Sequence, residues 1–331
     1  MNKKAIVLLS GGLDSILAAR LMLEQGIDVL AMNFYIEFAS CVSTEGSAAE
    51  KAARQLGVSL EVVDITREYL DIFKSPRYGY GANVNPCIDC KIFMLKKARE
   101  RMEKIGASFL VTGEVLGERP MSQRKDALNI IEKQAGVKGI LLRPLSAKLL
   151  EPTIPEKEGV VDRENLLDIS GRSRKPQMAL AEKFGILEYP NPAGGCLLTD
   201  PGFARRVKDL MKHDELTIEN LRLLATGRHF RLSEKAKLAI GRDEDENKIL
   251  QSIAKPDDII FKLKERQGPL SILRGASDTA LIELAASVVA HHTKFRNEDS
   301  LKVDYWSNGS RDRKTISVKA AGSADVEKFR I

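Results

Sequence analysis

Short apolar runs alternate with amphipathic stretches along residues 1–113. Residues 5–9 and 29–36 are almost continuously apolar, which is typical of strands buried on both faces of a sheet. Residues 48–56 and 90–105 have helical spacing, and a glycine follows each of them. Strands and helices that alternate in this way predict a parallel sheet covered by helices on both faces.

The pattern changes in the middle of the chain. Prolines and glycines are frequent in residues 166–209, and regular patterning then returns with two helices and two short strands. We therefore expect an α/β domain over residues 1–165, a Pro/Gly-rich segment over 166–209 and a second, smaller α+β domain over 210–331.

Composition narrows the function classes only modestly. Of 331 residues, 43% are hydrophobic and 30% charged, as in ordinary globular proteins, and the net charge of +6 suits a polyanionic partner such as nucleic acid. The apolar run after Lys4 is too short for a signal peptide, and no stretch is long enough to span a membrane. We therefore expect a cytoplasmic protein, in which four cysteines indicate metal binding or catalysis more than disulfides.

The loop between the first strand and the first helix has the composition of an anion site. It contains Ser10, Gly11, Gly12, Asp14 and Ser15. Glycines let the backbone approach a phosphate, while the helix N-terminus and the hydroxyl groups donate hydrogen bonds. Neither a Walker A lysine nor Gly-x-Gly-x-x-Gly spacing is present, so kinase-like transfer and dinucleotide binding are disfavoured. The loop suits a leaving pyrophosphate with Mg²⁺ held by Asp14; the alternative is a plain strand-to-helix turn.

This Ser-Gly-Gly-x-Asp-Ser loop resembles the signature of the PP-loop ATP-pyrophosphatases, which have the adenine nucleotide alpha-hydrolase-like fold. The resemblance implies ATP binding, adenylation of a carbonyl or carboxylate oxygen, and release of pyrophosphate. It also implies that Met32 lies where the family holds adenine and that Gly113 forms a second turn facing the nucleotide.

Three cysteines have the spacing of a sulfur or metal site. Cys87 and Cys90 form a Cys-x-x-Cys motif before a helix, whose dipole is expected to lower the thiol pKa, and Cys196 follows two glycines. In one interpretation, all three bind a [4Fe–4S] cluster and leave one iron open for sulfide. In another, one cysteine carries a persulfide that a second resolves. A zinc knuckle or a buried redox pair are further alternatives, and Cys41 is either a fourth ligand or inert packing.

The Asn-Pro-Cys-x-x-Cys motif with a distant Gly-x-Cys resembles tRNA 2-thiouridine and 4-thiouridine synthases, although Lys91 stands where the bacterial 2-thiouridine enzymes have Asn. Residues 113–123 and 142–145 are similar to segments of the 4-thiouridine branch. The resemblance implies ATP-dependent tRNA thiolation, in which sulfur from sulfide or a cysteine desulfurase replaces an adenylated uridine oxygen, with 4-thiouridine favoured. The cations proposed to stabilise phosphate charge are Arg119, Lys125 and Arg143.

One basic segment and two segments nearer the C-terminus indicate contacts with RNA. Residues 170–176 are flexible and cationic, and residues 227–232 and 240–247 resemble an element of the NFACT RNA-binding module. The expected RNA-facing residues are Arg172, Arg174, Arg228, His229, Arg231 and Arg242. The alternative is ordinary surface charge.

Two other functions are compatible with part of the sequence. A PP-loop synthetase or amidotransferase acting on a small carboxylate would not need three thiols. A non-catalytic RNA-binding protein that senses ATP would need neither the thiols nor Asp14.

Overall fold

The computed structural model describes residues 1–39, 47–81, 83–190 and 196–331, so Cys41 lies outside the described residues. The chain divides into two compact units, Met1–Thr199 and Asp200–Ile331. Within the described ranges, no helix combines the length and the apolar character needed to cross a membrane.

The first unit is built on a parallel five-stranded sheet. Its strands are β1 (Lys4–Leu8), β2 (Asp28–Tyr35), β3 (Ser59–Asp64), β4 (Phe109–Thr112) and β5 (Leu141–Leu142). They lie in the order β3-β2-β1-β4-β5, and every pairing is parallel. The predicted α/β fold class is confirmed.

Helices cover both faces of this sheet. They are α1 (Leu13–Glu24), α2 (Ala48–Leu56), α3 (Thr66–Lys74), α4 (Cys87–Lys104), α5 (Lys125–Ala135), α6 (Ile154–Lys157) and α7 (Lys175–Lys183). Ala5 and Val7 of β1 pack into the core that contains α1, whereas Ile6 packs with α4 and α5. Alternate residues of a strand point to opposite faces, so a continuous apolar run is what a doubly covered strand requires.

The Pro/Gly-rich segment is more regular than its composition indicated. It contains α7, and it ends within α8 (Pro201–His213) of the second unit. Pro176 and Pro201 stand in the first turns of these helices. A first-turn residue needs no N–H for the helix ladder, so proline there starts a helix instead of interrupting it.

The second unit is built on an antiparallel six-stranded sheet. Its strands are β6 (Arg228–Ser233), β7 (Ala236–Ile240), β8 (Ile259–Leu263), β9 (Ser271–Gly275), β10 (Leu301–Ser307) and β11 (Lys314–Val318), in the order β11-β10-β8-β9-β7-β6. The remaining helices are α9 (Ile218–Leu224), α10 (Glu244–Ile253), α11 (Thr279–His291) and α12 (Ser323–Phe329). Helix α11 contributes to the core on one face, and α9 and α10 contribute to the core on the other. The predicted second α+β domain is confirmed as a fold class.

Candidate nucleotide and thiol site

The loop after β1 is held by its own hydroxyl groups. The Gly12 N–H donates to Ser10 Oγ at 3.3 Å, and the Ser15 hydroxyl donates to the Gly12 carbonyl at 2.8 Å. Gly11 has a φ of +81°, and a Cβ at this position would lie 2.3 Å from the carbonyl carbon of Ala48. The loop therefore needs glycine at position 11, both for its backbone conformation and for its contact with the start of α2.

The carboxyl ends of three strands meet beside this loop. Leu8 of β1 pairs with Met32 of β2 and with Thr112 of β4. A Cβ at Gly113 would lie 2.4 Å from the backbone carbon of Asp14, so the turn after β4 lies directly against the start of α1. The Met32 side chain is buried in the core beneath α4, and its carbonyl accepts the Leu9 N–H at 2.8 Å.

Buried polar atoms without partners surround Asp14. Asp14 Oδ1, Glu118 Oε2 and both amide atoms of Gln177 make no hydrogen bond to any residue that the structure describes. Burial raises the pKa of Asp14, and the charges of Arg174 and Arg119 oppose that effect. Burial and the neighbouring Asp14 charge raise the pKa of Glu118. Two carboxylates beside two arginines are suited to bind a divalent cation together with phosphate.

The three candidate cysteines lie in one neighbourhood, where they act on one another electrostatically. The Cys87 thiol donates to Ser122 Oγ at 3.5 Å. Tyr69 is completely buried; burial, and then the charges of Cys90, Cys196 and Cys87, raise the pKa of its hydroxyl. The structure therefore brings Cys196 to the Cys-x-x-Cys pair and adds a tyrosine that the sequence pattern does not reveal.

The expected lowering of the thiol pKa is wrong for Cys90. Burial and the nearby Cys196 charge raise the pKa of Cys90 to about 12, although Lys91 and the Tyr69 hydroxyl oppose the rise. Desolvation of a thiolate outweighs the helix dipole at this position.

Glu114 connects the nucleotide turn to the thiol helix. Its buried carboxylate accepts from Thr112 Oγ1 at 3.1 Å and from Arg143 Nε at 2.9 Å, and its Oε1 lies 3.2 Å from Lys91 Nζ. Although burial favours the neutral form, Lys91 and Arg143 lower the pKa of Glu114 to about 2. Arg143 also pairs with Glu132 and is 3% exposed. Its charge is therefore used by these two carboxylates.

The basic residues of the middle segment lie in different environments. Arg172 is exposed, as a residue that contacts RNA would be. Arg174 caps α7 and acts on both Asp14 and Glu118, which places it beside the Ser-Gly-Gly loop.

Two of the expected RNA-facing residues of the second unit are engaged internally. His229 is 2% exposed, its Nε2 lies 2.8 Å from the Thr226 carbonyl, and burial lowers its pKa well below the usual value. Arg231 donates to Asp209 Oδ2 and Asp214 Oδ2, each at 2.6 Å. A buried neutral imidazole and a doubly paired guanidinium are poorly placed to meet an RNA phosphate.

Arg228 and Arg242, the other two expected RNA-facing residues of the second unit, belong to a cationic cluster. We define this cluster as Arg206, Arg228, Arg242 and Arg330 together with His292. Arg242 is half exposed and pairs with Glu246. Burial and the neighbouring Arg242 charge lower the pKa of Arg228. Burial, followed by the charges of Arg228, His291 and Arg330, lowers the pKa of His292 to about 4. Neither Arg206 Nε nor His292 Nε2 has a hydrogen-bond partner among the described residues.

Two family models match the chain. The model described as "Thiamine biosynthesis protein (ThiI)" matches residues 1–149, and "NFACT protein RNA binding domain" matches residues 227–330. The first unit thus has the fold of a PP-loop domain and matches the ThiI model over residues 1–149. The second unit matches the NFACT model over residues 227–330, so both sequence resemblances are confirmed.

The PP-loop domain is also similar to curated relatives. The chain is 35% identical over 135 residues to the tRNA-specific 2-thiouridylase MnmA of Clostridium acetobutylicum, which covers 34% of the chain and 36% of the relative. It is 31% identical over 156 residues to MnmA of Pelotomaculum thermopropionicum, covering 39% of the chain and 42% of that relative. The chain thus spans well under half the length of these relatives.

Solved structures give weaker matches. A 4-thiouridine synthetase in complex with RNA and ATP is 21% identical, with 56% of the chain and 52% of that chain covered and a TM-score of 0.35. The U34-tRNA thiolase NcsA of Methanococcus maripaludis with its [4Fe-4S] cluster is 18% identical, with 66% and 70% covered and a TM-score of 0.34.

Four residues of the PP-loop domain site were missed from the sequence: Glu114, Glu118, Tyr69 and Gln177. Glu114 and Glu118 lie inside the segment that resembles 4-thiouridine synthases, so that segment could have indicated them. Tyr69 and Gln177 lie on α3 and α7, and only the folded chain brings them to the thiols and to Asp14.

Glu114 should dominate the acid sensitivity of the PP-loop domain. Its folded pKa of about 2 lies below its ordinary value of 4.5, so its stabilisation is complete above pH 4.5 and is lost as the pH falls towards 2. Glu114→Gln should lower the free energy of unfolding at pH 7 by about 3 kcal/mol, because Lys91 and Arg143 are left buried without their shared anion.

Thermal melts between pH 2 and pH 7 test this prediction. Glu103→Gln is the matched control, because Glu103 forms an exposed pair with Arg99 and should change stability by less than about 0.5 kcal/mol. An unaltered melting profile for Glu114→Gln would contradict the proposed role.

Proposed function

We propose that the protein thiolates a uridine of tRNA in an ATP-dependent reaction. The observation that carries this proposal is the Glu114 carboxylate, which contacts Thr112 at the nucleotide turn and Lys91 beside the thiols. One buried anion thereby joins the two halves that such a reaction needs, a nucleotide loop and a sulfur site. The PP-loop family match supports ATP as the co-substrate.

The proposed chemistry has two steps. The uracil carbonyl oxygen attacks the α-phosphorus of ATP, and the bond from that phosphorus to the bridging oxygen breaks as pyrophosphate leaves towards the Ser-Gly-Gly loop. A sulfur nucleophile then attacks the activated ring carbon, and the C–O bond breaks as AMP leaves. Arg119 and Arg174, which lie beside Asp14, would stabilise the charge that develops on the phosphate oxygens.

The orphaned oxygens of Asp14 and Glu118 fit Mg²⁺, a cation that binds one or two carboxylates together with substrate phosphates. When bound, Mg²⁺ would neutralise phosphate charge during adenylation. Asp14 lies at the start of α1 and Glu118 after the β4 turn, so the two carboxylates approach the loop from different elements.

The thiols fit the sulfur step by their chemistry. Cys87, Cys90 and Cys196 would hold a [4Fe–4S] cluster, a group that would supply iron as a Lewis acid for the sulfur step. Within residues 1–39, 47–81, 83–190 and 196–331, no three His, Cys, Asp or Glu side chains lie at metal-binding spacing. The cluster proposal therefore rests on the donor set, with a persulfide on one of these cysteines as the competing mechanism. Sulfide would be the nucleophile in the cluster mechanism, whereas a cysteine desulfurase would transfer the sulfane sulfur that forms the persulfide.

The NFACT-type domain would hold the tRNA. The cationic cluster gathers four arginines, and Arg206 and Arg228 both have pKa values lowered first by burial, with added repulsion from Arg242. A phosphate among them would relieve this repulsion and supply acceptors for Arg206 Nε. Arg206, Arg330 and His292 thus take the place that the sequence pattern assigned to His229 and Arg231.

The proposed product is 4-thiouridine. The similarity of residues 113–123 to 4-thiouridine synthases favours substitution at C4, whereas the curated relatives named above are 2-thiouridylases. Mass spectrometry of nucleosides from tRNA treated with the protein distinguishes the two products, and 2-thiouridine alone would reject the C4 assignment while leaving thiolation in place.

Pyrophosphate release from ATP, measured with and without tRNA, tests the proposed function. We expect release that requires tRNA and falls about a hundredfold in Asp14→Asn, because the charge opposite the leaving phosphates is lost. Asp28→Asn is the matched control, since Asp28 is exposed at the start of β2. Release driven by a small carboxylate without tRNA would indicate the synthetase, and no release under any condition would indicate an ATP-sensing RNA-binding protein.

A further inference from the structure

Three cations stand side by side on one face of the second unit's sheet. Arg231 of β6 pairs in register with Lys237 of β7, and Lys237 pairs in register with Arg274 of β9. Side chains directly opposite on neighbouring strands lie close together, and like charges in that position destabilise a sheet. Such a row needs anions to compensate it.

The carboxylates near this row are directed to its two ends. Asp209 and Asp214 accept from Arg231 at 2.6 Å, and both oxygens of Asp258 accept from Arg274 at 2.9 and 2.7 Å. The ammonium of Lys237 lies 3.6 Å from Asp209 Oδ2, an oxygen that Arg231 already uses. Three carboxylates match the three cations in charge, but they accept hydrogen bonds from the two arginines and none from Lys237.

Lys237 is therefore the cation of the row whose hydrogen-bond donors are unsatisfied. It is 4% exposed, and its Nζ forms no hydrogen bond with any residue in the described ranges. Burial, only partly offset by Asp209, lowers its pKa to about 8. A buried ammonium with three unused donors costs free energy unless a ligand supplies acceptor oxygens.

Lys237 lines a cavity that can admit such a ligand. The cavity has a volume of about 180 Å³, and Lys255 and Arg274 line it together with Lys237. Asp214, Asp257 and Asn220 also line it. This cavity is separate from the cationic cluster, since none of its lining residues belongs to that group.

We propose that this cavity binds a phosphorylated ribose. The phosphate group supplies oxygens to the Lys237 and Lys255 ammonium groups, whereas the ribose hydroxyls donate to the Asp214 and Asp257 carboxylates. The cavity is larger than a phosphate group alone, which leaves room for the attached sugar. The ligand is either a free sugar phosphate or mononucleotide, or the phosphorylated end of an RNA. This assignment does not depend on thiolation.

Calorimetric titration of the full chain with ribose 5-phosphate tests the site. Wild type should bind, and Lys237→Met should lose at least about tenfold in affinity, because one charged hydrogen-bonding group is removed. Lys262→Met is the matched control, since Lys262 is exposed on β8 and should bind as wild type does. No binding by wild type, or equal binding by Lys237→Met, would overturn the proposal.

The melting temperature separates a ligand site from a structural ion pair. If Lys237 serves a ligand, the unliganded Lys237→Met protein should melt at or above the wild-type temperature, because a buried ammonium whose hydrogen bonds are unsatisfied has been removed. A clear fall in melting temperature would instead mean that Lys237 stabilises Asp209, which contradicts the proposal.

Lysine labelling tests the site in the unaltered protein. Pyridoxal 5′-phosphate forms an imine with accessible amines, with loss of water, and borohydride reduces that imine to a stable amine. Lys255, the more exposed lysine of this cavity, should be labelled, and ribose 5-phosphate should protect it. Labelling of Lys255 that ribose 5-phosphate does not reduce would reject the site. Oligoribonucleotides with a 5′-phosphate or a 5′-hydroxyl, used as competitors, distinguish an RNA end from a free sugar phosphate.

Discussion

Cys90→Ser should reduce tRNA thiolation by at least about 10³-fold, because removal of one member of a group that acts as a unit typically removes nearly all of its contribution. Burial and Cys196 raise the pKa of Cys90, while Tyr69 and Lys91 oppose the rise. A serine hydroxyl can neither ligate iron as a thiolate does nor carry a persulfide sulfur.

ATP binding provides the internal control for Cys90→Ser. The Ser-Gly-Gly loop and Asp14 lie on β1 and α1, so nucleotide affinity and melting temperature should stay close to wild type. Thiouridine is quantified by mass spectrometry and ATP affinity by calorimetry. Thiolation at the wild-type rate would show that the reaction does not require Cys90. If ATP binding were lost as well, the substitution would have disturbed the fold. An anaerobic visible absorption spectrum of wild type, lost in Cys90→Ser, would support the cluster over the persulfide.

Gly11→Ala should unfold or severely weaken the PP-loop domain, whereas Gly12→Ala should be tolerated. At position 11 the new Cβ would lie 2.3 Å from backbone atoms of Ala48, with φ at +81°. Left-handed strain and overpacking together should cost about 3 kcal/mol, which corresponds to a melting temperature roughly 10 °C lower.

Gly12 is the matched control because it is the next residue in the same loop. Its φ is −76°, and a Cβ there would lie 3.5 Å from Ser10 Oγ, an ordinary contact. Gly12→Ala should therefore stay within about 1 kcal/mol of wild type. Thermal melts of Gly11→Ala and Gly12→Ala test this prediction, and equal melting temperatures would contradict the described loop conformation. ATP affinity measured on the same samples shows whether the loop keeps its shape.

The sequence pattern predicted the parallel sheet well because β1, β2 and β4 are largely apolar runs. Helix α2 was predicted with its observed bounds, since Ser47 and Gly57 cap it and both caps are readable from the sequence. The second unit was predicted less completely. Two of its six strands were found, because half-buried antiparallel strands such as β10 alternate with charged residues and give no continuous apolar signal.

The candidate site, like the fold, was predicted only in part from the sequence. Local motifs indicated the Ser-Gly-Gly loop and the Cys-x-x-Cys pair, since both are encoded by neighbouring residues. Charge partners were not readable, because Arg231 meets Asp209 from 22 positions away and Arg143 meets Glu114 from 29. These contacts leave Arg231 poorly placed for the RNA-facing role that the NFACT resemblance implied, and the sequence could not reveal the cluster to which Arg330 belongs.

The shared Glu114 carboxylate has a consequence for how substitutions combine. Thr112 at the nucleotide turn and Lys91 at the thiol helix both contact it, so a substitution at either position changes the electrostatic environment of the other. In a double-mutant cycle the two effects should be non-additive, although the residues lie on different elements. Energies measured at one half of the PP-loop domain site will therefore always include a contribution from the other half.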